Sequence, residues 1–297
     1  MRWREHWRSL ALGLPTVLGL KQRGFFIPCR FATVAGSSVL PDPFYPVIDT
    51  WMTEARPRFD ALFDAIDGYA ADLAAIDAAS APAPAPRWWQ DWFPRLDAAA
   101  AYALIRSRAP RHVVEVGSGH STRWFARAVA DGGLATRIVA IDPRPRAAIN
   151  GLGVQVLRCP LQQAGTAPFA RLQAGDMLAI DGSHVLMPGT DVDWLLNRVL
   201  PALPAGALVH LHDIFLPDPY PAEWSWRGYN EQQGVAALLQ GGGWRILWSS
   251  RWASTRLTDR LAASVLAAVP LPSDAYESSL WLEKCPFTGS KGIFDQL

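Results

Sequence analysis

The hydrophobic pattern changes character near residue 110. Before it, apolar residues recur at three- and four-residue intervals, the spacing of one helix face. Trp51, Ala55, Phe59, Leu62, Phe63, Ile66, Tyr69, Leu73 and Ile76 predict a helix over 50–79, and Ala98, Ala101, Leu104 and Ile105 a second over 97–107. After it, short Val- and Ile-rich runs alternate with helical stretches. The runs fall at 113–116, 138–141, 154–157, 177–180 and 207–211, with helices predicted at 122–130, 145–151 and 192–200. Runs this short, bounded by Gly, Pro and Asp, read as buried strands. The alternation predicts a parallel sheet with helices on both faces, joined by right-handed crossovers. Two late runs, 244–248 and 279–283, lack a helix-length pattern directly before the last, which points to an antiparallel edge.

The first thirty residues are basic, with Arg2, Arg4, Arg8, Lys21, Arg23 and Arg30 against Glu5. An apolar stretch runs from Leu10 to Leu20, too short to span a bilayer. It looks like the start of a signal peptide, but Lys21-Gln-Arg-Gly24 follows instead of a small-residue cleavage site. The favoured reading is a docked N-terminal helix, ahead of surface membrane association and of a signal, with no stable membrane insertion. Prolines make loops at 25–28 and 41–46. The Ala/Pro tract at 79–86 is an extended linker and places the main boundary. Residues 1–86 are then an N-terminal helical extension and 87–297 the main domain. The 50–79 helix either packs on that domain, the preferred reading, or covers a substrate.

Composition narrows the function classes. Half of the 297 residues are hydrophobic, enough for a full core, and a net charge of +1 gives no general field for nucleic acid. Cys29, Cys159 and Cys285 form neither a metal spacing nor an even disulfide set. A reducing cytoplasm is the default location, and a homo-oligomer is compatible with the composition. Fourteen tryptophans are unusual, and they cluster away from the glycine turn described next.

Candidate chemistry begins at Val113–Val116, where Gly117 and Gly119 end the strand and Ser121 or Thr122 can cap a helix. Strand, glycine turn and helix open a nucleotide-binding βαβ unit. Glu115 is the departure from a dinucleotide site. A carboxylate there repels a pyrophosphate and suits an ammonium or sulfonium, and Thr122 occupies the place of the third glycine. Asp142 follows the second strand about twenty residues after Gly119, where an acid binds ribose hydroxyls; the plainer alternative is a turn residue before Pro143.

With Glu115-Val-Gly-Ser-Gly119, Asp142 and Asp181-Gly-Ser-His184, the chain resembles the class I S-adenosylmethionine-dependent methyltransferases over about residues 96–284. It looks closest to the branch with Glu-Val-Gly-Ser-Gly-x-Ser-Thr and Ile-Asp-Gly-Ser-His motifs. The resemblance implies an α/β, Rossmann-like, doubly wound sheet of seven strands in the order 3-2-1-4-5-7-6, mostly parallel, with the seventh antiparallel. It places Glu115, Gly117, Gly119 and Ser121 about the amino-acid end of S-adenosyl-L-methionine and Asp142 on its ribose. Leu161, within Pro160–Gln162, would lie near adenine, and Asp181 would face the methyl-transfer region.

In such a sheet ligands bind beyond the carboxyl ends of the strands. Asp181, His184, His212 and Asp213 can therefore share one cleft. Methyl transfer needs mainly positioning, and a hydroxyl acceptor must also lose a proton. His184 is the candidate base, with Asp181 beside it. Related sugar O-methyltransferases carry an acidic pair at the His212-Asp213 position and bind magnesium. His212 departs from that pattern and reads as a satisfied strand-end histidine, which leaves Asp181 and Asp213 as candidate metal ligands. In the long loop after the fifth strand, Tyr220, Trp224, Trp226, Arg227 and Tyr229 either wall an acceptor pocket or pack on the N-terminal helices. The function expected is methylation of a small-molecule oxygen. An NAD-type oxidoreductase and a non-catalytic cofactor-binding module are the rivals.

Overall fold

A computed structural model describes residues 3–28, 44–76 and 79–286. Cys29, Arg2, Arg30 and the Pro41–Pro43 part of the predicted second loop lie outside the described residues. Seven strands form one sheet: β1 His112–Val116, β2 Arg137–Ile141, β3 Gln155–Leu157, β4 Met177–Ile180, β5 Leu208–Leu211, β6 Trp244–Ser249 and β7 Leu280–Lys284. Their order is β3-β2-β1-β4-β5-β7-β6, and β7 runs antiparallel to both neighbours. The Val- and Ile-rich runs form strands because helices cover both faces of the sheet. Every residue from Val113 to Val116 and from Met177 to Ile180 is buried.

The helices are α1 Trp3–Val17, α2 Pro46–Gly68, α3 Ala70–Ala74, α4 Arg95–Arg108, α5 His120–Asp131, α6 Leu161–Ala164, α7 Asp191–Trp194, α8 Leu200–Ala202, α9 Glu231–Gln240, α10 Ser250–Arg256 and α11 Thr258–Ala262. A π-helical stretch, Leu195–Val199, joins α7 to α8. The helix predicted over 50–79 starts earlier, with Pro46 in its first turn, and breaks at Tyr69. Proline suits that position because it lacks only an N–H that has no partner there. Its apolar face packs on β6 and α10 in the manner of a core helix: Phe59 and Phe63 meet Trp248 edge-on at 5.5 and 5.0 Å, and Phe59 meets Trp252 at 5.4 Å. This helix therefore shares the hydrophobic core of the sheet. No helix forms over 145–151, where Pro143, Pro145 and Gly151 favour turns over a helical ladder.

The turn after β1 is fixed by backbone contact. Gly117 has φ +81°, and a Cβ there would lie 1.9 Å from the carbonyl oxygen of Asp181. Gly117 N–H donates to Ile141 O at 3.0 Å and Asp181 N–H to Val116 O at 2.8 Å. The turn is thus tied to the carboxyl ends of both neighbouring strands.

Candidate active site

The tied turn opens a cavity of about 400 Å³ beyond the ends of β1, β2 and β4. Gly117, Gly119, Ser121, Asp142, Leu161 and Asp181, all expected about a cofactor, line it together. Asp142 is buried; its carboxylate accepts the Ser118 hydroxyl at 2.9 Å and the Arg144 N–H at 2.7 Å. Two oxygens carry about four acceptor sites, so capacity for a diol remains. Pro160 and Gln162 complete the wall on the α6 side.

Glu115 requires a correction. It does not line the cavity and is 1 % exposed. Its oxygens accept the hydroxyls of Ser121 at 2.5 Å and Thr122 at 2.6 Å, and Thr122 Oγ1 accepts the Gly119 N–H at 2.9 Å. Glu115 therefore fastens the first turn of α5 to β1. The two hydroxyls are occupied by that task, and Gly119 is the residue at the N-cap. Burial pushes the Glu115 carboxyl up to about 8, against the two hydroxyl donors, with Asp181 and Asp142 adding repulsion. The carboxylates that line the cavity are Asp142, Asp181 and Asp191, beside the basic Arg144 and Arg146.

The raised carboxyl has a measurable consequence. Between 4.5, the ordinary value for this carboxyl, and about 8, the folded chain keeps a proton that the unfolded chain releases. The group therefore costs stability as pH rises through that window. Glu115→Gln removes the titration, so urea denaturation should show a flatter pH dependence from about 5 to 8, by a few kcal/mol at most. Parallel profiles for variant and wild type would contradict the assignment.

A second, smaller cavity of about 90 Å³ lies against the first, with Trp92, Arg146 and Asp181 lining both. Asp181, His184, His212 and Asp213 meet here. His184 and Asp213 both adopt left-handed backbone, φ +58° and +56°, a conformation that concentrates at functional sites in non-glycine residues. His184 Nε2 lies 3.3 Å from Asp181 Oδ1 and 3.4 Å from Asp213 Oδ2. Its Nδ1 contacts Glu231 Oε2 at 2.8 Å. Burial alone would lower the imidazole; hydrogen bonds with Asp181 and Glu231 and the charge of Asp213 outweigh it and hold it well above the ordinary value. Burial raises the Glu231 carboxyl, against the His184 hydrogen bond that lowers it.

His212 points into the cluster and is not merely a strand-end residue. Its Nδ1 is 3.6 Å from Asp181 Oδ1 and 3.5 Å from Asp213 Oδ1, while Nε2 faces the fully buried Asp97 at 3.3 Å. Asp97 also accepts the backbone N–H groups of Ser278 and Ser279. Burial opposes charge on His212, but Asp213, Asp181 and Asp97 raise it well above its usual value. Donor atoms of Asp181, His212 and Asp213 lie within 4.8 Å of one another. A carboxylate behind a histidine that faces two more carboxylates is the arrangement used to orient metal-binding imidazoles, so the donor set fits a divalent cation.

The aromatic loop divides. Trp224, Arg227 and Tyr229 line the small cavity, with the guanidinium 4.2 Å over Trp224 and 3.2 Å from the Tyr229 hydroxyl. Tyr220 does not line it; it packs on Phe215 and its hydroxyl accepts the Gln232 N–H. Trp226 faces a different cavity, under the guanidinium of Arg8 from α1. Glu231, Asp97, Trp92 and Arg146 belong to the site without having been singled out from sequence. Glu231 lies at the start of α9, far from any motif, and only the fold brings it to His184.

Residues 114–214 match a family model described as a methyltransferase domain. Solved structures of methyltransferases are similar to the chain at low sequence identity. One is a Podospora anserina methyltransferase bound to SAH, 15 % identical, covering 65 % of this chain and 79 % of that one at a TM-score of 0.41. Another is the O-methyltransferase TomG of Streptomyces achromogenes, 17 % identical, covering 63 % and 78 % at 0.40. A third is an O-methyltransferase of Bacillus cereus, also with SAH, 13 % identical, covering 80 % and 99 % at 0.39. No curated protein matches the chain in sequence.

Proposed function

We propose that this chain, whose residues 114–214 match a methyltransferase domain, is a class I S-adenosylmethionine-dependent methyltransferase that methylates an oxygen of a small molecule bound beside Asp181. The observation that carries this reading is the adjacency of the two cavities. One has a cofactor-sized volume, with the Asp142 carboxylate on its wall; the other is small and polar and is lined by His184 and His212. The cofactor supplies a methyl group already activated on a sulfonium. Gly117 and Gly119 let it approach the backbone, Asp142 holds the ribose, and Asp181 faces both compartments.

Glu231 fixes the His184 tautomer and ring plane through Nδ1, so that Nε2 faces the acceptor. In its neutral form His184 takes the hydroxyl proton on Nε2 while the acceptor oxygen is held in line with the methyl group, and the carboxylates that raise the imidazole push the active range to higher pH. A divalent ion held by Asp181, His212 and Asp213 would acidify the acceptor hydroxyl and neutralise the carboxylates that face Nε2. Magnesium prefers hard oxygen ligands, whereas imidazole suits later divalent metals. The site should therefore bind Mn²⁺ at least about tenfold more tightly than Mg²⁺, as titrated by calorimetry or by Mn²⁺ spin resonance. Equal affinities would remove His212 from the ligand set.

Incubating the protein with S-adenosylmethionine and a panel of phenols, sugars and other hydroxyl compounds tests the function. Formation of S-adenosylhomocysteine that depends on one acceptor is the expected result. A protein that binds the cofactor but turns over no acceptor, with and without Mn²⁺, would favour a non-catalytic module.

A further inference from the structure

Helix α1 turns one face to a cavity and an apolar stripe outward. Ser9, Leu12, Gly13, Thr16 and Val17, spaced three and four apart, line a cavity of about 880 Å³ between α1 and the sheet's ligand end. A second stripe turns away from the protein: Leu10, Leu14 and Leu18 are 44, 57 and 60 % exposed, and Leu20 beyond the helix is 77 % exposed. Phe25, Phe26 and Ile27 are also exposed and line the same cavity, so its rim belongs to the patch. An exposed apolar patch of this kind marks an interaction surface. Among the described side chains of this segment the exposed cations are Arg8, which also stacks on Trp226, Lys21 and Arg23. Among the described residues no helix is long and apolar enough to cross a membrane.

We infer that residues 3–28 seat this protein on an anionic lipid surface. The outer leucines enter the boundary between headgroups and acyl chains, and the flanking cations face the lipid charge. The cavity rim then opens toward that surface. Arg227 lines both the large cavity and the small polar one, which joins an apolar compartment to the reacting end. The acceptor that fits is an amphiphile taken from the surface, with its hydroxyl beside His184 and its apolar body under α1. This second part rests on the methyltransferase reading; the lipid docking does not.

Co-sedimentation of the full chain with vesicles tests the docking, using phosphatidylcholine alone and with about 30 % phosphatidylglycerol. Partitioning should be at least about tenfold stronger on the anionic vesicles and should weaken between about 0.05 and 0.5 M NaCl. Leu14→Glu/Leu18→Glu, on the stripe that does not line the cavity, should lower it by tenfold or more while calorimetric binding of S-adenosylhomocysteine stays unchanged. No binding to anionic vesicles, or equal binding by the variant, overturns the proposal. So does a concentration-dependent dimer that the same variant dissolves, which would give the patch to a second copy. Loss of cofactor binding in the wild type would instead overturn the methyltransferase reading and leave the vesicle result standing.

Discussion

Gly117→Ala should abolish cofactor binding and cost the largest stability of any single methyl group added at the site. The new Cβ would sit 1.9 Å from the Asp181 carbonyl oxygen and 2.8 Å from its carbon, both backbone atoms that no rotamer change can move. Relief requires sliding β1 against β4, which the 2.8 Å bond from Asp181 N–H to Val116 O resists. The positive φ adds about 1–2 kcal/mol for an L side chain, and overpacking about 1–3 kcal/mol. The sum is a large part of an ordinary domain's stability. Gly119→Ala is the control: its φ of 164° is extended backbone, and its Cβ would meet nothing nearer than 3.6 Å. Thermal denaturation should separate the two variants clearly. Calorimetry with S-adenosylhomocysteine should show no binding to the first. A Gly117→Ala protein as stable as wild type would mean the strand ends are not locked as described.

The second large effect is expected at the histidine pair. Glu231→Ala removes the only carboxylate on His184 Nδ1 among the described contacts, 2.8 Å away and 1 % exposed. Turnover should fall by about 10²–10⁴, the usual worth of a positioned acid–base group. Glu231→Gln, which can still accept from Nδ1, should recover part of it. If Glu231 acts through His184, the double variant with His184→Ala should be no slower than His184→Ala alone. The loss should appear in kcat more than in KM, and the affinity for S-adenosylhomocysteine should not move. Additive losses with weakened cofactor binding would make Glu231 merely structural. Turnover within about threefold of wild type would remove the dyad from the mechanism.

The sheet was legible because its strands are short β-branched runs in a chain that otherwise follows helical spacing. The order β3-β2-β1-β4-β5-β7-β6 agrees with what the family resemblance implies. Asp142 and Asp181 were legible because each directly ends a strand, the place where such sheets bind ligands. Glu115 was not, because β1 is covered on both faces. Val113 through Val116 are all buried, so alternation along the strand says nothing about which side chain meets the cavity. His212 depends on Asp97, 115 positions away, for its orientation, and Glu231 reaches His184 across 47. Contacts at those separations leave no local pattern. Tyr220 and Trp226 look equivalent to Trp224 and Tyr229 in an aromatic loop. Only the path of the chain, with a turn of 3₁₀-helix over Ala222–Arg227, sends them to different neighbours.

Calorimetric titration of the wild-type protein with S-adenosylhomocysteine, alongside Asp142→Ala and against NAD, addresses the central claim most directly. One site per chain for the thioether nucleoside, weakened by about two orders of magnitude in the variant, with no heat from NAD, is the predicted outcome. Binding of NAD alone, or equal affinity of Asp142→Ala and wild type for S-adenosylhomocysteine, would contradict it.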